Sequence, residues 1–313
     1  MSMLGTAASR AFATFVGGLL MAGASAASAQ SLTPSEAKAI AEDAYIYGYS
    51  LITTEVTRMQ MSNVGKTEGT RGPMGQFVNI ERYPPANYRG VSAPNADTLY
   101  SLAWLDLTEP QVFSHPDMGK RFYLFEMTDL WMTDFETPGT RTTGGKAATY
   151  LITGPGWSGP VPAGMKQIKS ATRYMVILGR TYADGAARDY KTVNALQVQY
   201  KIVPLRAYGK PYAYQAPPMN PNPDFSMTDA PQTVILGMDT STYFNMMAKL
   251  MGGAAPPAPE DAPMLARMAK ISLVPGQPFD MAQLDPAVQA ALKDLPRPLC
   301  STSKPTRSRS GKW

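Results

Sequence analysis

Positions 40, 44, 47, 51, 54 and 58 repeat at helical spacing, with Ile40, Ala44, Tyr47 and Leu51 apolar. The segment Thr33-Pro34-Ser35-Glu36 stands just before this run as a capping box with proline at the first helical position, so a helix is predicted from there to about Met61. Tyr45, Tyr47 and Tyr49 alternate as a strand would, but the cap decides for the helix. From Gln76 the pattern changes to short aromatic and β-branched segments bounded by proline and glycine, at 76–80, 98–107, 121–127, 130–136, 148–153 and 175–182. No helical pattern separates them, which argues for antiparallel pairing and against a parallel doubly wound sheet. Helical spacing returns from Asp184 to Ile202, and again in 240–251, 262–271 and a piece capped by Asp285-Pro286, with linkers at 217–223 and 252–259. The expected fold is α+β and mainly β: an antiparallel, jelly-roll-like sandwich with an N-terminal helix and C-terminal helical segments.

At 313 residues, 44% hydrophobic and 17% charged, the chain suits one large or two modest globular domains. The formal charge of +5 invites a nucleic-acid reading, which fails once the charges are located. Residues 1–29 carry only Arg10, and residues 297–313 carry Arg297, Lys304, Arg307, Arg309 and Lys312 with no acid. Setting these aside leaves 23 cations against 24 acids, so the body offers nothing to a polyphosphate. The tail 297–313 lacks any apolar period and is expected to be disordered. It is either a functional basic tail or, more plainly, the product of a reading frame lost near Leu295.

Arg10, the apolar run to Ala24 and the small residues ending in Ala27-Ser28-Ala29 read as an export signal over 1–29, cleaved after Ala29, which predicts a periplasmic or secreted protein. Beyond it no stretch is long and apolar enough to span a bilayer. The one cysteine, Cys300, excludes an internal disulfide.

Four motifs carry a resemblance: Ala44-Tyr-Ile-Tyr-Gly-Tyr-Ser, Ser92-Ala-Pro-Asn-Ala-Asp-Thr-Leu-Tyr, Pro138-Gly-Thr-Arg-Thr-Thr-Gly and Ile152-Thr-Gly-Pro-Gly-Trp. Their order and spacing resemble the bacterial domain of unknown function 1254 family over roughly residues 35–295, placing one such domain at 30–296. The resemblance implies an exported, largely β, jelly-roll-like domain, commonly followed by a domain of unknown function 1214 that is missing here. It implies no substrate.

One histidine, His115, confines nucleophilic and zinc chemistry, and its context Phe113-Ser-His-Pro-Asp reads as a loop or cap. A Ca²⁺ or Mg²⁺ site of carboxylate and carbonyl oxygens stays open, without EF-hand spacing; neither a metal nor a cofactor is expected. The glycines match neither a P-loop nor a dinucleotide fingerprint, and the 20 methionines read as core filling rather than soft-metal ligands.

Carboxylates are the better candidates. With a hairpin turn at Asp129, Glu126 and Asp134 fall on one face as diagonal neighbours, able to divide into acid and base, or else to partner Arg141 or Arg180. Asn95 and Asp97 either close turns before the strand or bind a polar ligand over a floor of Tyr100 and Trp104. Arg141 is placed to clamp a carboxylate or to pair with Glu126 or Asp134. Trp131 and Trp157 are anchors or sugar platforms. Two readings follow. One is a pocket of Asn95, Asp97, Tyr100, Trp131 and Arg141 for a small sugar or carboxylate, with hydrolysis through Glu126 and Asp134. The other is a non-catalytic envelope or assembly module, with an oligomer compatible with either.

Overall fold

The computed structural model describes residues 32–88, 95–293 and 295. The expected export signal, the tail with Cys300 and the first three residues of the Ser92–Tyr100 motif lie outside them. Contacts divide the chain into residues 1–32 and 33–313, and the description concerns the second unit.

The first helix, α1, spans Pro34–Ser62 and opens as expected: Thr33 N donates to Glu36 Oε2 at 3.0 Å and Glu36 N returns the bond to Thr33 Oγ1 at 3.3 Å. Nine strands follow among the described residues: β1 Val78–Asn79, β2 Thr98–Asp106, β3 Gln111–His115, β4 Tyr123–Asp129, β5 Asp134–Glu136, β6 Ala148–Thr153, β7 Lys166–Lys169, β8 Tyr174–Tyr182 and β9 Lys201–Pro204. The remaining α-helices are α2 Ala187–Gln197, α3 Pro231–Gly237, α4 Thr240–Met251, α5 Ala262–Ala269 and α6 Pro286–Leu292. Together the helices hold more residues than the strands, so the chain is mixed α and β rather than mainly β.

Five strands form one sheet in the order β1-β2-β8-β4-β5, and four form another in the order β7-β6-β3-β9. All pairs are antiparallel except β6 with β7, which run parallel across the proline-rich connection 154–165 and correct the expectation of antiparallel pairing throughout. Alternation puts Leu105, Phe125, Met127 and Ile177 of the first sheet into one buried cluster with Phe113, Ile152 and Ile202 of the second, so the core lies between two packed sheets.

Three local expectations are corrected. The helical run after Asp184 ends at Gln197, and Lys201–Pro204 leaves it as an edge strand. The segment 130–133 is a turn rather than the start of a strand. Asp129 Oδ1 accepts from Trp131 N at 2.8 Å and Thr133 N at 3.0 Å, and Met132 sits at φ 65°. His115 ends β3 with 3% of its surface exposed, ringed by Phe113, Tyr123, Phe125 and Tyr150, instead of lying in a loop.

In a helix, residues two apart point about 200° away from one another. The tyrosines of α1 obey this: Tyr45 faces α4, accepting at its carbonyl from Tyr243 Oη at 2.8 Å, while Tyr47 packs on Trp131 with ring centroids 5.1 Å apart. Tyr45 and Tyr47 thus meet different partners on opposite sides of α1. Gly48 lets α4 approach, since a Cβ there would meet Met247 Sδ at 2.5 Å. Toward its C-terminus α1 places Arg58, 7% exposed, over the Tyr174 ring at 4.1 Å, held by Glu55 through contacts of 2.7 and 2.6 Å. α1 thus meets the outer face of the five-stranded sheet at the end carrying Tyr174 and Trp131.

Candidate functional site

The end of the five-stranded sheet away from α1 is where β2 begins, β8 finishes and β4 begins. Its register is fixed by pairing of Thr98 with Tyr182 and of Thr181 with Tyr123, continued by Tyr182 N donating to Phe122 O at 3.0 Å. Here Lys120, Arg121, Phe122, Tyr182, Asp184 and Asp189 line an open cavity of about 550 Å³. Arg121 forms a forked pair with Asp189, Nη2 to Oδ1 at 2.6 Å and Nη1 to Oδ2 at 3.0 Å, and Nη1 also donates to Tyr182 O at 2.8 Å. That pair holds the Asp189 carboxyl below the usual carboxylate range and raises the guanidinium. Asp184 Oδ1 accepts from Ala186 N at 2.8 Å. The acids of the cavity are therefore engaged, whereas Lys120 is exposed and shows no carboxylate partner among the described residues. Phe122 is 39% and Tyr182 45% exposed, an unusual showing for two large rings set opposite one another on neighbouring strands.

The expected ligand residues divide between the two ends of the sheet. Asn95 closes a local turn, accepting at Oδ1 from Asp97 N at 2.6 Å and Thr98 N at 3.0 Å. Asp97 is exposed, and its carbonyl accepts from Ala183 N at 3.1 Å, beside the cavity. Arg141 is exposed next to Thr140, whose hydroxyl donates to Arg121 O at 3.3 Å. Asp97 and Arg141 thus flank the cavity end, but β8 and β4 lie between them, roughly 14 Å of sheet. Trp131 belongs to the opposite end of β4, roughly 23 Å from Phe122 along the strand, beneath Tyr47. None of the five lines the cavity.

Glu126 and Tyr100 meet instead on Arg180, whose Nε donates to Glu126 Oε2 at 2.9 Å and whose Nη1 donates to Tyr100 Oη at 3.3 Å. Asp134 is opposite Thr128, two residues along from Glu126, and accepts from Thr128 Oγ1 at 2.6 Å. Each carboxylate of the expected pair thus has its own donor, and for Glu126 the donor is the alternative partner Arg180.

The third motif works as a staple at this end. Thr140 Oγ1 accepts from Tyr123 N at 3.0 Å, Tyr123 Oη donates to Gly144 O at 2.6 Å, and a Cβ on Gly139 would meet Tyr123 O at 2.7 Å. His115 lies behind it, Nδ1 donating to Pro116 O at 2.9 Å, and burial pulls its imidazole below the usual value against that bond. A second cavity of about 320 Å³ includes Asp106, Glu109, Tyr212 and Tyr214, with Asp106 and Glu109 paired to Arg173 and Arg206. Among the described residues no three His, Cys, Asp or Glu gather to hold a metal ion, and no helix is long and apolar enough to cross a membrane.

Sequence reasoning missed Phe122 and Tyr182 although their alternation was visible. Phe122 shares the face of Glu126 by alternation, but which strand end it meets depends on pairing with a segment some sixty residues away.

The fold is similar to that of the VPA0106 protein from Vibrio parahaemolyticus, with a TM-score of 0.62 and 21% identity over 85% of this chain and 58% of that one. The chain thus spans less than two thirds of that protein's length, and at such identity the likeness concerns the fold alone. A putative uncharacterized protein from Burkholderia cenocepacia, with a TM-score of 0.25 and 15% identity over 41% of this chain and 36% of that one, carries no argument. No curated protein matches. Residues 74–204, which contain the second, third and fourth motifs, match the family model described as Protein of unknown function (DUF1254), and the family resemblance stands over that stretch.

Proposed function

We propose that this chain is an exported, non-catalytic binding protein for a small hydroxyl- or carboxylate-bearing ligand, taken up at the strand ends between Phe122, Tyr182 and Lys120. The observation that carries this is the pair of half-exposed rings opposite one another at the mouth of a cavity of about 550 Å³, within the usual range for ligand sites. An apolar ligand face can rest on the rings while its polar groups meet Lys120 and the locked Arg121–Asp189 fork. Asp97 and Arg141 stand at the flanks to meet a larger ligand's polar ends. Hydrolysis is the weaker reading, because Glu126 and Asp134 are each engaged by a neighbour rather than facing an open site.

The test is thermal unfolding of the purified chain with sugars, organic acids and divalent ions, since a ligand bound only by the folded state raises stability by mass action. At a hundredfold excess over Kd the gain is about 2.7 kcal/mol. A shift seen with the parent and absent in Tyr182→Ala supports the assignment. A shift that Tyr182→Ala and Lys120→Ala both preserve removes the ligand from this cavity, and no shift at all leaves the assembly-module reading.

A further inference from the structure

The cavity continues onto a part of the outer sheet face whose side chains stay partly exposed. The outward positions of β2, β8 and β4 form cross-strand rows. Tyr182 and Phe122 stand beside Thr98, Tyr100 aligns with Arg180 and Leu124, and Leu102 aligns with Leu178 and Glu126. The next row, Trp104, Val176 and Thr128, is buried on the side where α1 docks. Of the first three rows only Thr98 is buried, so three aromatic rings, three leucines and one ion pair make a half-exposed shelf that runs out of the cavity through Phe122 and Tyr182.

We propose that the ligand is a chain of linked sugar rings with mainly uncharged hydroxyl groups, seated in the cavity at one end and lying along this shelf. The inference rests on the cavity reading above. Three features carry it. The shelf is about 10 Å wide and about 13 Å long, from three strands at their usual spacing and four residue steps along a strand. That is far below the roughly 800 Å² that each partner of a stable protein interface buries, but it matches two or three pyranose rings end to end. Its chemistry is that of a sugar: the apolar C–H face of a pyranose packs on aromatic and leucine side chains, and its hydroxyls need planar donors and acceptors at the edges. Finally, its charge is balanced. Arg180 is matched by Glu126 at 2.9 Å and uses another N–H on Tyr100 Oη, which leaves further guanidinium donors for hydroxyl oxygens and no net charge to favour an anion. Tyr100 is held in place by the same arginine, 5.2 Å from its ring centroid, and so serves as a fixed rather than a swinging platform.

The experiment is a glycan array of neutral and acidic oligosaccharides from one to six units, followed by calorimetry on the best series. It compares the parent with Tyr100→Ala, Leu178→Lys and Tyr182→Ala, each first shown to unfold cooperatively. The parent is expected to bind a tetramer about tenfold more tightly than the monomer, the gain of one to two further ring contacts. Tyr100→Ala and Leu178→Lys should flatten that dependence on length while leaving the monomer's affinity in place, and Tyr182→Ala should abolish both. Monomer and tetramer binding equally, or a length dependence that survives both shelf variants, overturns the shelf and leaves the cavity reading standing. A preference for acidic over neutral chains overturns the uncharged class. No binding by any sugar overturns the inference outright. If small carboxylates still raise the melting temperature through Tyr182, the cavity reading survives without it.

Discussion

α1 meets the outer face of the sheet through Arg58, which stacks on Tyr174 and is held in place by Glu55 one turn earlier on the same helix. Arg58 is 7% exposed, makes two short bonds to Glu55, and stacks on Tyr174 of β8. Glu55→Ala leaves a guanidinium buried without its counter-charge, a change worth about 3–5 kcal/mol when the site is dry. The Glu55 side chain retains 13% exposure, which admits some solvent and puts the expectation near the lower end, about 3 kcal/mol. For a domain of this size that lowers the melting temperature by roughly 6–12 °C. Urea unfolding followed by tryptophan fluorescence measures it, and the double variant Glu55→Gln/Arg58→Met supplies the control. With both charges gone and the stem's packing kept, the double variant should lie within about 1 kcal/mol of the parent. A loss below about 1 kcal/mol for Glu55→Ala, or a double variant as unstable as the two singles added together, refutes the claim that this pair is coupled in a buried interface.

Two further outcomes follow from the strand-end staple. Burial holds the His115 imidazole below its usual pKa, so the folded state resists a proton that the unfolded chain accepts. The stabilising effect is full above the unfolded value near 6.5 and is lost as pH falls below it. Melting temperatures taken between pH 7.5 and 5 should drop for the parent and drop less for His115→Phe; equal slopes contradict the assignment. Gly139→Ala should cost about 1–3 kcal/mol in denaturant unfolding, because the added Cβ meets the backbone at Tyr123 O and Leu124 Cα rather than a movable side chain. A neutral outcome there would mean that the staple is looser than its distances.

Much of the architecture was legible because its signals are local. α1 announces itself by Thr33 and Glu36, β6 and α4 fall within the boundaries read from alternation and helical period, and β2 differs by one residue. The three strands that escaped did so for physical reasons. Gln111–His115 is a five-residue run between Pro110 and Pro116 with no alternation to mark it. Lys166–Lys169 is a polar edge, and Lys201–Pro204 continues an apolar spacing begun by α2. The candidate site was less legible than the fold. Asn95 could be read as a ligand or as a turn-closer, and its bonds to Asp97 N and Thr98 N favour the turn. The convergence of Phe122 with Tyr182, and of Glu126 and Tyr100 on Arg180, depends on the register between strands far apart in sequence, which no local pattern encodes.

The central claim is that ligand enters at the strand ends over Phe122 and Tyr182. Amide chemical-shift mapping of the isotopically labelled chain, titrated with the sugar or carboxylate that gives the largest thermal shift, tests it most directly. The account predicts perturbations concentrated at 120–123 and 181–189, spreading to 100–102 and 178–180 as a sugar chain lengthens. Perturbations centred on Tyr212 and Tyr214 at the second cavity, with 120–123 and 181–189 unmoved, would contradict it.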